Sequence, residues 1–248
     1  MSQSYSFFIV LSAAFILAGF VKGVIGMGLP TVAQGLLGLI MTPLQGAAIL
    51  VIPSVVTNTW QLVAGPNFFH IFKRVWGLLA FISVGIWLGF GLMSPGNAVF
   101  ATTALGIVLV IYALLGIFRV QFSVKRGMEK WLSPGIGLVS GLVAAATGIF
   151  TVPGVMYVQS MNFSRDDLIQ ALGLMFSIST FALTVNLYRD GAMQLSILPL
   201  SLLALAASGV GMAAGTWVRR RISPATFRVV FFWGMLFLGA HLALKSYI

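Results

Sequence analysis

Ser54, Thr57, Asn58 and Gln61 recur at i, i+3, i+4 and i+7, which puts four polar side chains on one stripe of a helix. Gln170, Ser177 and Thr184 recur every seven residues further along the chain, with Thr180 beside them. Hydroxyls and amides are neutral donors. They can coordinate the oxygens of an oxyanion without the cost of burying a charge. The competing reading is plain interhelical hydrogen bonding, which glues membrane helices together for about 0.6 kcal/mol per bond. Asn58, with two donors and an acceptor in the middle of the first stripe, is the foremost candidate for binding.

Each stripe follows a break in an apolar run. The first break is Gly26-Met27-Gly28-Leu29-Pro30, and the second is Thr147-Gly148-Ile149-Phe150-Thr151-Val152-Pro153. Broken apolar segments at matching places in two halves of a chain point to a transporter's binding site. Non-helical backbone in lipid survives only where it is buried in protein or lines a wet cavity. Proline costs no hydrogen bond at the first position of a helix, so Pro30 and Pro153 are each expected to start a half-helix. The free N–H groups and positive dipole end of such a half-helix attract anions. Gly26 and Gly28 in the first break, and Gly148 and Thr151 in the second, would bring backbone and hydroxyl close to one small anion. The bland alternative is that the glycines permit close packing and the prolines kink the spans.

Lys22 is the basic residue nearest a break. It either attracts the anion from within the membrane or snorkels to the surface as a topology signal. The four acidic residues, Glu129, Asp166, Asp167 and Asp190, all fall in or beside expected loops. The sequence therefore offers no mid-span carboxylate for a proton relay or cation site. His70 and His241 fall near membrane edges and read as ordinary interfacial histidines. A membrane potential negative inside favours an anion's exit by about 2.3 kcal/mol per charge per 100 mV, so facilitated export needs no further coupling group.

The elements that position these residues follow from composition. Of 248 residues, 59% are hydrophobic and 7% charged, against roughly 25% charged in a soluble domain. Lipid is the solvent that reconciles those figures, and the 28 glycines suit close packing of membrane helices. The net charge of +10 is scattered over short gaps between apolar runs and forms no face for nucleic acid. The absence of cysteine excludes disulfides, thiol catalysis and thiolate metal sites. No cofactor or metal is expected, nor is an enzyme, for which no nucleophile–base pair is visible.

Runs of about 20 apolar residues, enough to cross a core of about 30 Å, are expected at 46–65, 76–93, 98–118, 167–188, 196–218 and 226–246. The regions 5–42 and 135–162 each hold a broken or re-entrant pair. The stretch Tyr5 to Val21 lacks the basic flank of a cleaved signal and reads as a retained span. The fold expected is all-α and integral to the membrane, with about five segments in each half. It forms a single membrane domain with a first repeat at 1–118, a cytoplasmic linker at 119–134 and a second repeat at 135–248.

An odd number per half makes the halves inverted if they are homologous. At one constant offset Pro30 meets Pro153, Ala48 meets Ala171, Ser54 meets Ser177 and Thr57 meets Thr180. With small gaps, Gly23 meets Gly141 and Gly28 meets Gly148. Twelve of the 14 basic residues, including Lys73, Arg74 and the run Arg219-Arg220-Arg221, lie on one side in this layout. The positive-inside rule makes that side cytoplasmic and both termini extracytoplasmic.

At these residues the chain resembles the TauE/SafE family of bacterial anion transporters. The likeness is carried by Gly19-Phe20-Val21-Lys22-Gly23-Val24-Ile25-Gly26-Met27-Gly28-Leu29-Pro30 and Ile52-Pro53-Ser54-Val55-Val56-Thr57-Asn58. In the second half it is carried by Ala145-Ala146-Thr147-Gly148-Ile149-Phe150-Thr151-Val152-Pro153 and Gln170-Ala171-Leu172-Gly173-Leu174-Met175-Phe176-Ser177. The resemblance implies a multi-pass protein of the bacterial cytoplasmic membrane that exports sulfite, sulfoacetate or a related sulfur-containing anion. Met27 and the run Ala144 to Ala146 depart from the denser glycine runs of the family. The expected partners are a small anionic substrate and the lipid bilayer, and a homodimer is compatible with the reading. The alternatives are a channel-like anion conductor and a non-transporting assembly or structural subunit.

Overall fold

The computed structural model describes residues 5–120, 122–219, 221 and 224–245, so Arg220 of the basic run lies outside the described residues. Among the described residues ten α-helices follow one another: α1 (Tyr5–Ile25), α2 (Leu29–Leu37), α3 (Pro43–Val63), α4 (Phe68–Leu88), α5 (Ala98–Ile117), α6 (Arg126–Thr147), α7 (Met156–Ser160), α8 (Arg165–Arg189), α9 (Leu198–Val218) and α10 (Pro224–Leu244). Among the described residues there is no strand. Among the described residues, seven helices are long and apolar enough to cross a membrane: α1, α3, α4, α5, α8, α9 and α10. Large apolar side chains such as Trp60, Trp87, Phe181 and Phe237 stand exposed on the outside, as a lipid-facing surface requires. The protein is a multi-pass, all-helical membrane protein.

Helix boundaries follow local chemistry. Thr42 caps α3 in a capping box with Gln45, and Pro43 occupies the first turn, where it displaces no hydrogen bond. Ser164 caps α8 by accepting from the Asp167 N–H, and Asp166 and Asp167 in the first turn complement the helix dipole, as Arg189 does in the last. The broken pairs are short inside. α2 has nine residues, about 13 Å of helix, and cannot cross a core of about 30 Å. In the second break a π-turn at Thr151–Val155, with Val152 extended, leads into the five-residue α7.

Two boundaries differ from the sequence expectation. α6 begins at Arg126, within the stretch expected as a linker, and α4 begins at Phe68, within the expected loop at 66–75. The physical reason is the same for both. Charged residues end an apolar run but not a helix, and here Arg74 of α4 and Glu129 of α6 pair with each other across the two extra turns.

Packing pairs helices among the first five with helices among the last five. α1 lies against α9, α4 against α6, α5 against α10 and α3 against α8. Glycine sets the distance in these pairs. A Cβ added at Gly19 of α1 would fall 2.2 Å from the Ser208 carbonyl of α9, and one at Gly211 of α9 would fall 2.1 Å from the Ile16 carbonyl. In α6 a Cβ at Gly141 would fall 2.2 Å from the Ile82 carbonyl of α4. Such backbone-to-backbone approach is how membrane helices gain dispersion contact when lipid removes the hydrophobic driving force. The apolar core divides into two clusters, each built around one break. One holds Leu29, Val32 and Leu37 of α2, and the other holds Val155, Val158 and Met161 beside α7.

Candidate functional site

Lys22 lies in the last turn of α1 and is 3% exposed. Its ammonium donates to Thr57 Oγ1 at 2.9 Å and to Asn58 Oδ1 at 3.0 Å, so it is held inside the protein and does not snorkel. Thr57 can accept from it because its own hydroxyl proton goes to the Pro53 carbonyl at 2.7 Å. Gln61, one turn further along α3, donates to the Gly26 carbonyl at 2.7 Å and so ties the stripe to the first break. Ser54, Thr57, Asn58 and Gln61 are all buried. Asn58 Nδ2 and Gln61 Oε1 have no hydrogen-bond partner among the described residues.

The two breaks meet. Thr31 Oγ1, just after Pro30, and Thr151 Oγ1, just before Pro153, are 2.7 Å apart. Gly28 and Gly148 take the left-handed conformation, φ 97° and 73°, where a side chain would be strained. Gly148 also has no room for one, since a Cβ there would fall 2.9 Å from the Gln34 amide nitrogen of α2. Gln34 in turn donates to the Pro43 carbonyl at 2.7 Å, which fixes α2 against the start of α3.

A small cavity lies at this junction, lined by Pro30 and Gly148 from the breaks and by Ser54 and Thr180 from α3 and α8, with Phe150 and Leu50 among the apolar walls. Its volume is about 10 Å³, room for one water molecule. Thr180 Oγ1 is buried and has no hydrogen-bond partner among the described residues. Lys22 lies beyond the cavity, at the level of Thr57 and Asn58, about one helical turn along α3 from Ser54. A roomier groove by Tyr5, Phe8 and Ile16 is apolar and faces outward along α1.

Not every candidate reaches this junction. Gln170 donates to the Leu62 and Gly65 carbonyls and accepts from the Asn67 N–H, so its side chain is a latch that closes the α3–α4 turn onto α8. Ser177 donates to the Gly173 carbonyl of its own helix, and Thr184 does the same to Thr180. Pro153 starts the helical turn leading to α7, as Pro30 does within the first turn of α2.

Two groups were not legible from spacing. Thr31 and Gln34 share a face of α2 at i, i+3, but two polar residues in a nine-residue apolar half-helix make too short a pattern to stand out. The Arg74–Glu129 pair was read as loop charge. Arg74 Nε donates to Glu129 Oε2 at 2.9 Å, and Nη2 donates to Glu129 Oε1 and to the Met161 carbonyl at the end of α7. The guanidinium also lies over the Phe163 ring, 4.3 Å from its centre. The far end of α2 is held by Lys245, whose ammonium donates to the Gly38 and Leu39 carbonyls at 3.1 and 3.0 Å. Each half-helix thus has a cation at its carbonyl end, where the helix dipole is negative.

The family model described as Sulfite exporter TauE/SafE matches residues 11–242, nearly the whole chain. No curated protein and no solved structure matches.

Proposed function

The chain belongs to the sulfite exporter TauE/SafE family, and on that premise we propose that it exports sulfite, sulfoacetate or a related organosulfonate across the bacterial cytoplasmic membrane. The site is the junction of the two broken hairpins. The observation that carries this reading is the cavity to which both breaks and both polar stripes contribute, through Pro30, Gly148, Ser54 and Thr180. Unpartnered donors at Asn58 Nδ2 and Thr180 Oγ1, with the Lys22 ammonium one turn away, supply what an oxyanion accepts from.

The two halves are inverted repeats in this reading. Exchanging the first five helices for the last five turns the α1–α9 pair into the α6–α4 pair and leaves α3–α8 and α5–α10 unchanged, so these helix pairings support the reading. The contact between Thr31 and Thr151, one from each break, supports a site shared by the two halves. The positive-inside rule supports a cytoplasmic α3–α4 turn and start of α6, with both termini outside. Reporter fusions at each end should register outside, and an inside signal at either end would reverse the orientation.

A cavity that admits one water favours a carrier over an open channel, because the site must widen to take substrate and close again. A purely structural subunit would have no use for unpartnered donors buried between two breaks. Counterflow of labelled sulfite and sulfoacetate in proteoliposomes tests the function. Transport is expected in the native protein, with affinity falling about tenfold or more in Asn58→Ala and Lys22→Gln. Unaltered affinity in both variants would remove the site from this junction, and no counterflow of either anion would refute export.

A further inference from the structure

Lys22 and Glu129 are the two charged side chains buried in the protein, among the described residues. Their situations are opposite. Glu129 is matched by a two-pronged ion pair from Arg74. Lys22 is matched only by neutral oxygens, those of Thr57 and Asn58. The remaining carboxylates cannot serve it: Asp166 and Asp167 stand in the first turn of α8, and Asp190 follows its last. Among the described residues the core therefore holds one basic side chain with no carboxylate beside it.

From this imbalance, and resting on the export reading above, we propose that the site selects its substrate by charge and takes a monoanion in preference to a dianion. A single negative charge completes the Lys22 pair, and the neutral donors Asn58 Nδ2, Thr180 Oγ1 and Ser54 satisfy the remaining oxygens. A second negative charge would have no cation to meet, since Arg74 is engaged by Glu129 and Lys245 by the end of α2. Burying that charge against neutral dipoles costs far more than one hydrogen bond returns. The preferred substrates are then singly charged sulfonates and hydrogensulfite. Sulfate, thiosulfate and carboxylate-bearing sulfonates such as sulfoacetate bind more weakly even where they fit by size.

Isethionate and sulfoacetate make the comparison direct, because they share a two-carbon sulfonate frame and differ by one charge. In full-length protein in proteoliposomes, at constant ionic strength, isethionate should inhibit labelled-sulfite counterflow at about 100-fold lower concentration than sulfoacetate. Lys22→Arg keeps a positive charge at this position and should preserve the ranking, whereas Lys22→Gln should collapse it. A role for Lys22 in structure alone would not move that ratio. Thermal stabilisation of the detergent-solubilised protein by each anion gives a readout independent of transport. If sulfite fails to exchange but isethionate still stabilises the protein in preference to sulfoacetate, export falls and charge selection stands. Equal potency of the two anions, or a stronger effect of sulfoacetate, overturns charge selection and leaves export intact.

Discussion

Arg74 and Glu129 tie three elements together, since the same guanidinium reaches α6, the end of α7 and the ring of Phe163. Tyr157 adds to the cluster by donating to the Glu129 carbonyl while it meets Ser133 Oγ at 2.9 Å. Glu129→Gln leaves a half-buried guanidinium facing a neutral amide, and should lower stability by about 3 kcal/mol in detergent unfolding. Arg74→Met combined with Glu129→Gln should recover a large part of that loss, because no uncompensated charge remains. A double variant as unstable as the sum of the singles would mean that the carbonyl contact to Met161, and not the ion pair, holds the second hairpin. The pair at Lys22 behaves differently. Its partners are neutral, so Lys22→Gln changes what the site attracts more than how well the fold holds.

At the scale of helices, close approach between α4 and α6 depends on the missing side chain of Gly141. Gly141→Leu should abolish stable folded protein, judged by monodispersity on size-exclusion chromatography in detergent, because the first added carbon meets the α4 backbone. Gly135→Leu, in the same helix but with open space around it, should be tolerated. The contrast shows what the sequence could carry. Gly and Pro clusters announced both breaks, and the stripe from Ser54 to Gln61 announced the face of α3 that turns to Lys22, because both signals are local or periodic. Gln170 fits a seven-residue period equally well, yet its partners are the carbonyls of Leu62 and Gly65 more than 100 residues away. Period fixes a helical face but not what lies opposite it. The same limit hid Thr31 and Gln34, whose importance comes from contacts with Thr151 and with the start of α3. The early starts of α4 and α6 were hidden because a charge ends hydropathy before it ends hydrogen bonding.

Taken as a whole, the molecule is a set of long helices around two short, interrupted ones that meet at its centre. Transport by the proposed route needs the cavity to grow from the size of one water to that of an anion with several oxygens, so α3 and α8 must separate near Ser54 and Thr180. The Thr31–Thr151 contact joins the two breaks whose neighbouring residues line that cavity, and the chain contains no cysteine. Replacing both threonines by cysteine therefore gives a background-free redox staple between hydroxyl positions already 2.7 Å apart, compatible with the short Cβ–Cβ distance a disulfide requires. Mild oxidation of Thr31→Cys/Thr151→Cys should arrest sulfite counterflow in proteoliposomes, reduction should restore it, and either single variant should ignore the oxidant. Transport that continues with the staple shown closed by mass spectrometry would mean that the two hairpins travel together as one body.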